Sequence, residues 1–250
     1  VNAEVAAWAD EKIKEVKELA HKDNYRREFI GNLAHELKTP LFNIQGYIDT
    51  LSDSELNDVE LTRKFLTKAS LSCDRLATLI QDLDQITSIE SGSMPMHFER
   101  FDVAQLAQEV IESLEKISNE KHVKLSLRNP GERGVYVYAD KNRIEQVFTN
   151  LLVNSINYGK EGGNTSIHFF DMGDSHLIEV SDNGIGIAQE HLPRLFERFY
   201  RVDKSRSRHE GGSGLGLSIC KHIIDNHNQS ISVRSNEGIG STFNFTLKKG

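Results

Sequence analysis

Cysteine is nearly absent from this chain of 250 residues, which carries only Cys73 and Cys220. The two are far apart and lack metal-ligand spacing, which argues against a structural zinc site or a disulfide framework. Both are expected to be reduced core thiols, as in a cytosolic compartment. No apolar run reaches the length of a membrane-spanning helix, and no signal peptide is visible. Positive charge is not in excess: 30 Lys and Arg stand against 37 Asp and Glu, a net charge of -7. A nonspecific nucleic-acid surface needs a basic field, so no nucleic-acid partner is expected. An initiator Met is also missing, and the chain starts inside a helical pattern. The expectation is a cytoplasmic fragment of a longer protein whose upstream part holds an inner-membrane anchor.

Against these absences stands one dense segment, His35-Glu36-Leu37-Lys38-Thr39-Pro40. Apolar residues recur around it at Ile30, Ala34, Leu37, Leu41, Ile44 and Ile48, which is helical spacing. On a helical wheel His35 falls outside that stripe, so its imidazole is expected to face solvent beside the Glu36 carboxylate and to serve as a nucleophile. The zinc-protease pattern that begins His-Glu needs a second His at the fifth position, where Thr39 stands instead.

Residues 1 to 24 contain neither Pro nor Gly. Ala6, Ala9, Ile13, Val16 and Ala20 fit a short coiled-coil seam that runs on toward Ile30, so a signalling helix continuous with the His35 helix is expected. A polar turn over Ser52–Asp58 leads to a second amphipathic helix with Phe65, Ala69, Cys73, Leu76, Ile80, Leu83 and Ile86 on one face. Two such helices cannot enclose a core alone. A second copy completes a four-helix bundle, so a homodimer is expected.

Ser91-Gly92-Ser93 and Pro95 mark a domain boundary. Beyond it, strands are predicted at Val123–Leu127, Val135–Tyr138, Ser166–Phe170, Leu177–Ser181, Ile231–Arg234 and Thr242–Leu247. Helices are predicted at Val103–Ile117, Arg143–Tyr158 and Leu215–His227. This order indicates an α+β sandwich, with helices on one face of a mostly antiparallel or mixed sheet.

Three motifs in this half share one logic. Asn150 and Asn154 lie on one face of a helix, where their amide oxygens can hold a hard cation. Asp182-Asn183-Gly184-Ile185-Gly186-Ile187 follows an apolar strand and sets a carboxylate at the end of a sheet. A carboxylate accepts only, so it suits the amino group of adenine. Gly211-Gly212-Ser213-Gly214-Leu215-Gly216-Leu217 opens a helix, where backbone N–H groups and the helix dipole favour phosphates. Between the last two lie Phe196, Phe199 and Tyr200, then Arg198, Arg201, Lys204, Arg206 and Arg208, the composition of a lid over a phosphate tail.

In this order the motifs resemble the catalytic core of sensor histidine kinases of two-component systems, from about Tyr25 to Lys249. His35 to Pro40 resembles the H box, Asn150 to Asn154 the N box, and Asp182 to Gly186 the G1 box. Phe196 to Phe199 resembles the F box and Gly212 to Gly216 the G2 box. The Asn43-Ile44-Gln45-Gly46-Tyr47 stretch is further similar to phosphate-regulation-type sensor kinases.

The resemblance implies a dimerisation and histidine-phosphotransfer domain over 25–92, after the helix at 1–24, and a Bergerat-type ATP-binding domain over 96–250. It implies ATP and Mg²⁺, with His35 attacking the γ-phosphorus and Glu36 taking or sharing the ring proton. Thr39 goes with phosphatase activity toward a response regulator supplied in trans. Asn154 binds Mg²⁺ with support from Asn150, Asp182 reads adenine, Tyr158 lies near the base, and Ile187 is among the nucleotide-binding residues. Gly184, Gly186, Gly212, Gly214 and Gly216 let backbone approach the nucleotide, alongside Phe199, Arg201, Leu215 and Leu217. Lys204 or Arg206 meets the γ-phosphate. Asn157 departs from the family, in which many relatives carry a basic residue at that place.

Two rivals share the nucleotide site. A Bergerat-type ATPase needs a catalytic acid on the first Asn helix, for which Glu145 is available, but it leaves His35 without a role. An ATP-binding dimeric scaffold or pseudokinase leaves it without chemistry.

Overall fold

The computed structural model of the chain describes residues 2–53, 58–90, 95–128, 134–202 and 214–250 and, within 2–26, the side chains of 8 and 12–17. Lys204, Arg206, Gly212 and the Ser91–Ser93 boundary lie outside the described residues. The chain divides into two compact units, Val1–Ile80 and Gln81–Gly250.

The first unit is a helical hairpin. Helix α1 spans Asn2–Asp53 and continues through Pro40; the side chains of the seam residues Ala6, Ala9 and Ala20 lie outside those described. Pro40 offers no N–H to the carbonyl one turn before it. Helix α2 spans Val59–Glu90, its last turns belonging to the second unit. Its start is capped by Asp58, whose Oδ1 accepts from the N–H groups of Glu60 and Leu61. Tyr47 packs on Phe65 with ring centroids 5.9 Å apart, and Arg75 reaches back to Glu36, so the two helices run antiparallel.

The inward face of α2 carries Phe65, Ala69, Ser72 and Leu76, whereas Cys73 and Ile80 are exposed. This corrects the expectation of two core thiols: Cys73 lies on the rim of the apolar stripe, and only Cys220 is buried. The physical reason is the width of that stripe, which exceeds what one partner helix can cover.

The second unit is a two-layer sandwich. Its strands are β1 (Phe98–Asp102), β2 (Lys124–Arg128), β3 (Tyr136–Asp140), β4 (Asn164–Asp171), β5 (Ser175–Asp182), β6 (Ile231–Asn236) and β7 (Gly240–Lys248). Five of them form a mixed sheet in the order β2-β4-β5-β7-β6, with β2 and β4 parallel and the other pairs antiparallel. The helices are α3 (Val103–Ser113), α4 (Glu115–Glu120), α5 (Lys141–Asn157) and α6 (Gly216–Asn226). Phe148 of α5 meets Phe245 of β7 edge-on at 5.6 Å, and Ile144, Leu152, Ile167, Ile178, Ile219 and Ile223 fill the space between helices and sheet.

Strand β1 was not visible as a sequence pattern, because Phe-Glu-Arg-Phe-Asp has no apolar alternation and is exposed over its first three residues. Pairing makes it a strand: Phe98 lies opposite Asp140 and Asp102 opposite Tyr136 in an antiparallel ribbon. Two aspartates close the ribbon reciprocally. Asp102 ends β1, caps α3 through Ala104 N–H at 3.0 Å, and accepts Val135 N–H at 3.1 Å. Asp140 ends β3, caps α5 through Arg143 N–H at 3.1 Å, and accepts His97 N–H at 2.9 Å. The helix predicted over Val103–Ile117 is broken at Leu114, where ψ is 1°. There the Ser113 hydroxyl competes for the Val110 carbonyl, and Leu114 N–H is shared between Val110 and Ile111.

His227, just past α6, is buried. Its Nε2 accepts Asp140 N–H at 2.9 Å, so its Nδ1 carries the proton donated to the Ile223 carbonyl at 2.8 Å. Burial holds its pKa below the ordinary histidine value, against the opposing pull of Ile223 and Asp140. The neutral ring is therefore the folded form. Its stabilisation is complete above the unfolded pKa of about 6.5 and is lost as pH falls toward the depressed folded value, by at most about 1.4 kcal/mol per pH unit. Thermal melts from pH 7.5 to 5 should show this decline, and a His227→Gln variant should show a flatter one.

Candidate active site

His35 is exposed on α1, and Glu36 beside it is half-buried, with Oε2 taking a hydrogen bond from Arg75 Nη2 at 3.2 Å. The Thr39 hydroxyl lies one turn on and donates to the His35 carbonyl at 3.2 Å. These three residues share one stretch of helix, and the partner from α2 was invisible in the motif.

The motifs of the second unit meet α5 at two places, the Asp182 loop just past its end and the Gly216 turn at Asn150. Asp182 ends β5, and its Oδ1 accepts Gly184 N–H at 2.8 Å and Ser241 N–H at 3.2 Å. Burial raises its pKa from the ordinary carboxylate value, opposed by those two amides and by Lys160. The loop after it is fitted against the end of α5: Ile185 N–H donates to the Tyr158 carbonyl at 3.1 Å, and a Cβ on Gly184 would stand 2.4 Å from that same oxygen. Tyr158 itself is exposed. Ile187 N–H donates to the Ser235 hydroxyl at 2.8 Å.

Gly186 has φ +70°, and a Cβ there would lie 2.0 Å from the Asn236 carbonyl. Gly186→Ala therefore combines a left-handed backbone with a main-chain clash. Destabilisation of at least about 2 kcal/mol is expected, read as a lowered melting temperature together with weakened ATP binding.

Asn150 and Gly216 are joined by a hydrogen bond from Asn150 Nδ2 to the Gly216 carbonyl at 3.3 Å, which ties α5 to the first turn of α6. Leu215 is fully buried beneath that turn, and Leu217 is half-buried. Below them burial pushes the Cys220 thiol up to about 12, beside Asn150, so it is no nucleophile. Phe199 N–H donates to the Gly214 carbonyl at 2.9 Å, with φ +60° at Phe199 and +72° at Gly214. Arg201 lies alongside, its Cγ 3.3 Å from where a Gly214 Cβ would be. Asn154 is half-buried one turn from Asn150, and its side chain makes no hydrogen bond among the described residues.

Several supporting residues escaped the sequence motifs. The Ser235 hydroxyl donates to the Gly240 carbonyl at 2.8 Å and lies 2.9 Å from the Ser241 hydroxyl. Lys160 Nζ donates to the Gly238 carbonyl at 2.6 Å, and Asn183 Oδ1 accepts Asn164 N–H at 2.8 Å. The available signal was the Gly238-Ile-Gly240 turn between the last two strands.

An α/β sandwich with an acid at a strand end, an Asn helix and a glycine turn opening a second helix defines the ATP-binding class. Residues 139–250 match the histidine kinase-, DNA gyrase B- and HSP90-like ATPase family. Residues 25–92 match the His Kinase A (phospho-acceptor) domain family, which distinguishes among these ATPases. The chain belongs to the sensor histidine kinases of two-component systems.

It is 35% identical over 237 residues to sensor histidine kinase WalK of Bacillus subtilis, covering 94% of this chain and 38% of that protein. The chain thus spans well under two thirds of this curated relative. The solved catalytic domain of histidine kinase ThkA is 31% identical with TM-score 0.54, covering 62% of this chain and 97% of that one. ThkA in complex with response regulator protein TrrA gives TM-score 0.73 at 26% identity, covering 96% of this chain and 66% of that one.

Proposed function

We propose that the chain phosphorylates itself on His35 from ATP and passes the phosphoryl group to an aspartate of a response regulator. The observation that carries this reading is an exposed His35 with an adjacent held carboxylate, in a chain whose other unit gathers the nucleotide motifs around Asp182 and Asn150. One ring nitrogen of His35 bonds to the γ-phosphorus, the bond to the β–γ bridging oxygen breaks, and ADP leaves with that electron pair. The proton on the other nitrogen passes to Glu36. Asp182 accepts the adenine amino group, and the start of α6 faces the phosphates.

Among the described residues no cluster of three or more His, Cys, Asp or Glu stands ready for a metal. The amide oxygens of Asn150 and Asn154, one turn apart on α5, are hard donors that fit Mg²⁺, which is held by few protein ligands and largely by substrate phosphates. Asn154 would supply the protein oxygen, supported by Asn150. When bound, Mg²⁺ offsets phosphate charge during transfer.

Ile30, Leu41, Phe42, Ile48, Leu66 and Leu71 are exposed on the hairpin, which supports a homodimer that buries them in a four-helix bundle. Thr39, on the same helix one turn from His35, supports phosphatase action on the phosphorylated regulator. These roles are assigned to 1–24, 25–92 and 96–250, the middle stretch being the one that matches the phospho-acceptor family. No helix among the described residues is long and apolar enough to cross a membrane. As part of a longer sensor, the chain would work on the cytoplasmic side of a membrane to which the rest is anchored.

Incubation with ATP labelled at the γ-phosphate tests the proposal. The kinase gives a protein phosphate that is acid-labile and base-stable and that moves to a receiver domain. Steady phosphate release without labelled protein would favour the ATPase instead, and bound nucleotide with neither outcome would favour the scaffold.

A further inference from the structure

We propose that Arg75 is a positioning residue for the phosphorylation of His35, acting through Glu36, an inference that rests on the kinase reading above. Arg75 lies on α2, across the hairpin from the reacting histidine. Its Nη2 donates to Glu36 Oε2 at 3.2 Å, and the two side chains retain only 19% and 20% of their exposure.

The chemistry gives that contact a purpose. Attack by one ring nitrogen of His35 forms the N–P bond and turns the ring cationic. Loss of the proton from the other nitrogen to Glu36 restores a neutral ring. Neighbouring helical residues point about 100° apart, so a glutamate next to a histidine is not aimed at its ring by the helix alone. A long, flexible carboxylate samples many rotamers and loses that freedom at each turnover unless something holds it beforehand. A guanidinium suits the task because it is planar, permanently charged and donor-only. Arg75 can orient the carboxylate without competing for the proton: holding one oxygen sets the plane of the group that takes it.

The holding group belongs to the opposite helix. A slip of α2 against α1 by one turn, a rise of about 5.4 Å, separates the pair. The readiness of Glu36 thus becomes a function of hairpin register.

The test measures initial rates of autophosphorylation in the full chain for wild type, Arg75→Ala, Arg75→Lys, Glu36→Gln and the Glu36→Gln/Arg75→Ala double variant. Loss of the proton acceptor should lower kcat by about 10²-fold. Arg75→Ala should lower it by about tenfold, a part of that effect, with KM for ATP unchanged. Arg75→Lys should restore most of the rate, and the double variant should match Glu36→Gln alone. A simple hairpin clamp predicts losses that multiply, and that result overturns the proposal. So does an effect of Arg75→Ala confined to KM. Should the alanine variant fail to fold by circular dichroism, Arg75→Gln replaces it in the same cycle with the same criteria. Failure of the wild type to label overturns the kinase reading itself and is thereby told apart.

Discussion

His35→Gln should abolish the acid-labile phosphoprotein, with labelling reduced by more than about 10³-fold, while ATP affinity stays within about twofold of wild type. The size of the effect follows from the chemistry. Glutamine keeps the length and polarity of the position but has no ring nitrogen with a lone pair to form the N–P bond. The separation of effects follows from the fold. His35 is exposed on α1 in the first compact unit, whereas the nucleotide motifs all lie in the second. No core contact is lost, so the melting temperature should not move. Labelling that persists in His35→Gln would place the phosphoryl group on another residue and defeat the assignment.

Asp182→Asn is the second large expectation. ATP affinity should fall by about 10²-fold, roughly 2–3 kcal/mol, with the fold retained. Asp182 Oδ1 already serves two backbone donors, Gly184 and Ser241. An asparagine can keep its single oxygen on those amides and so preserve the loop. Its NH₂ group then faces the adenine amino group, donor against donor. Calorimetric titration with a non-hydrolysable ATP analogue reads the loss. Unchanged affinity would show that Asp182 serves the loop alone.

The helices and most strands of the second unit were legible because their faces alternate in hydrophobicity: Ile167, Phe169, Ile178 and Val180 point inward from neighbouring strands. The nucleotide motifs were legible because backbone approach demands glycine, as Gly184 and Gly186 show by the atoms a Cβ would strike. What stayed hidden depends on partners distant in sequence. β1 is a strand only because β3 pairs with it. Ser235 and Ser241 support the Asp182 loop through hydroxyls, and a serine carries no pattern that announces such a role. Arg75 meets Glu36 through the register of the whole hairpin, which no local window contains. Cys73 belongs to the apolar stripe by spacing, but periodicity does not say which part of the stripe the partner helix covers, and Cys73 falls outside that part.

The paired aspartates at the ends of β1 and β3 couple the starts of two helices. Each carboxylate serves its own helix start and the strand beside it, so neither helix can fray without loosening the other's ribbon. The amides of His97, Ala104, Val135 and Arg143 should then exchange with deuterium at a common rate, as one opening unit. The entry to the ATP-binding half is buckled shut at two points, and it opens as a whole or not at all.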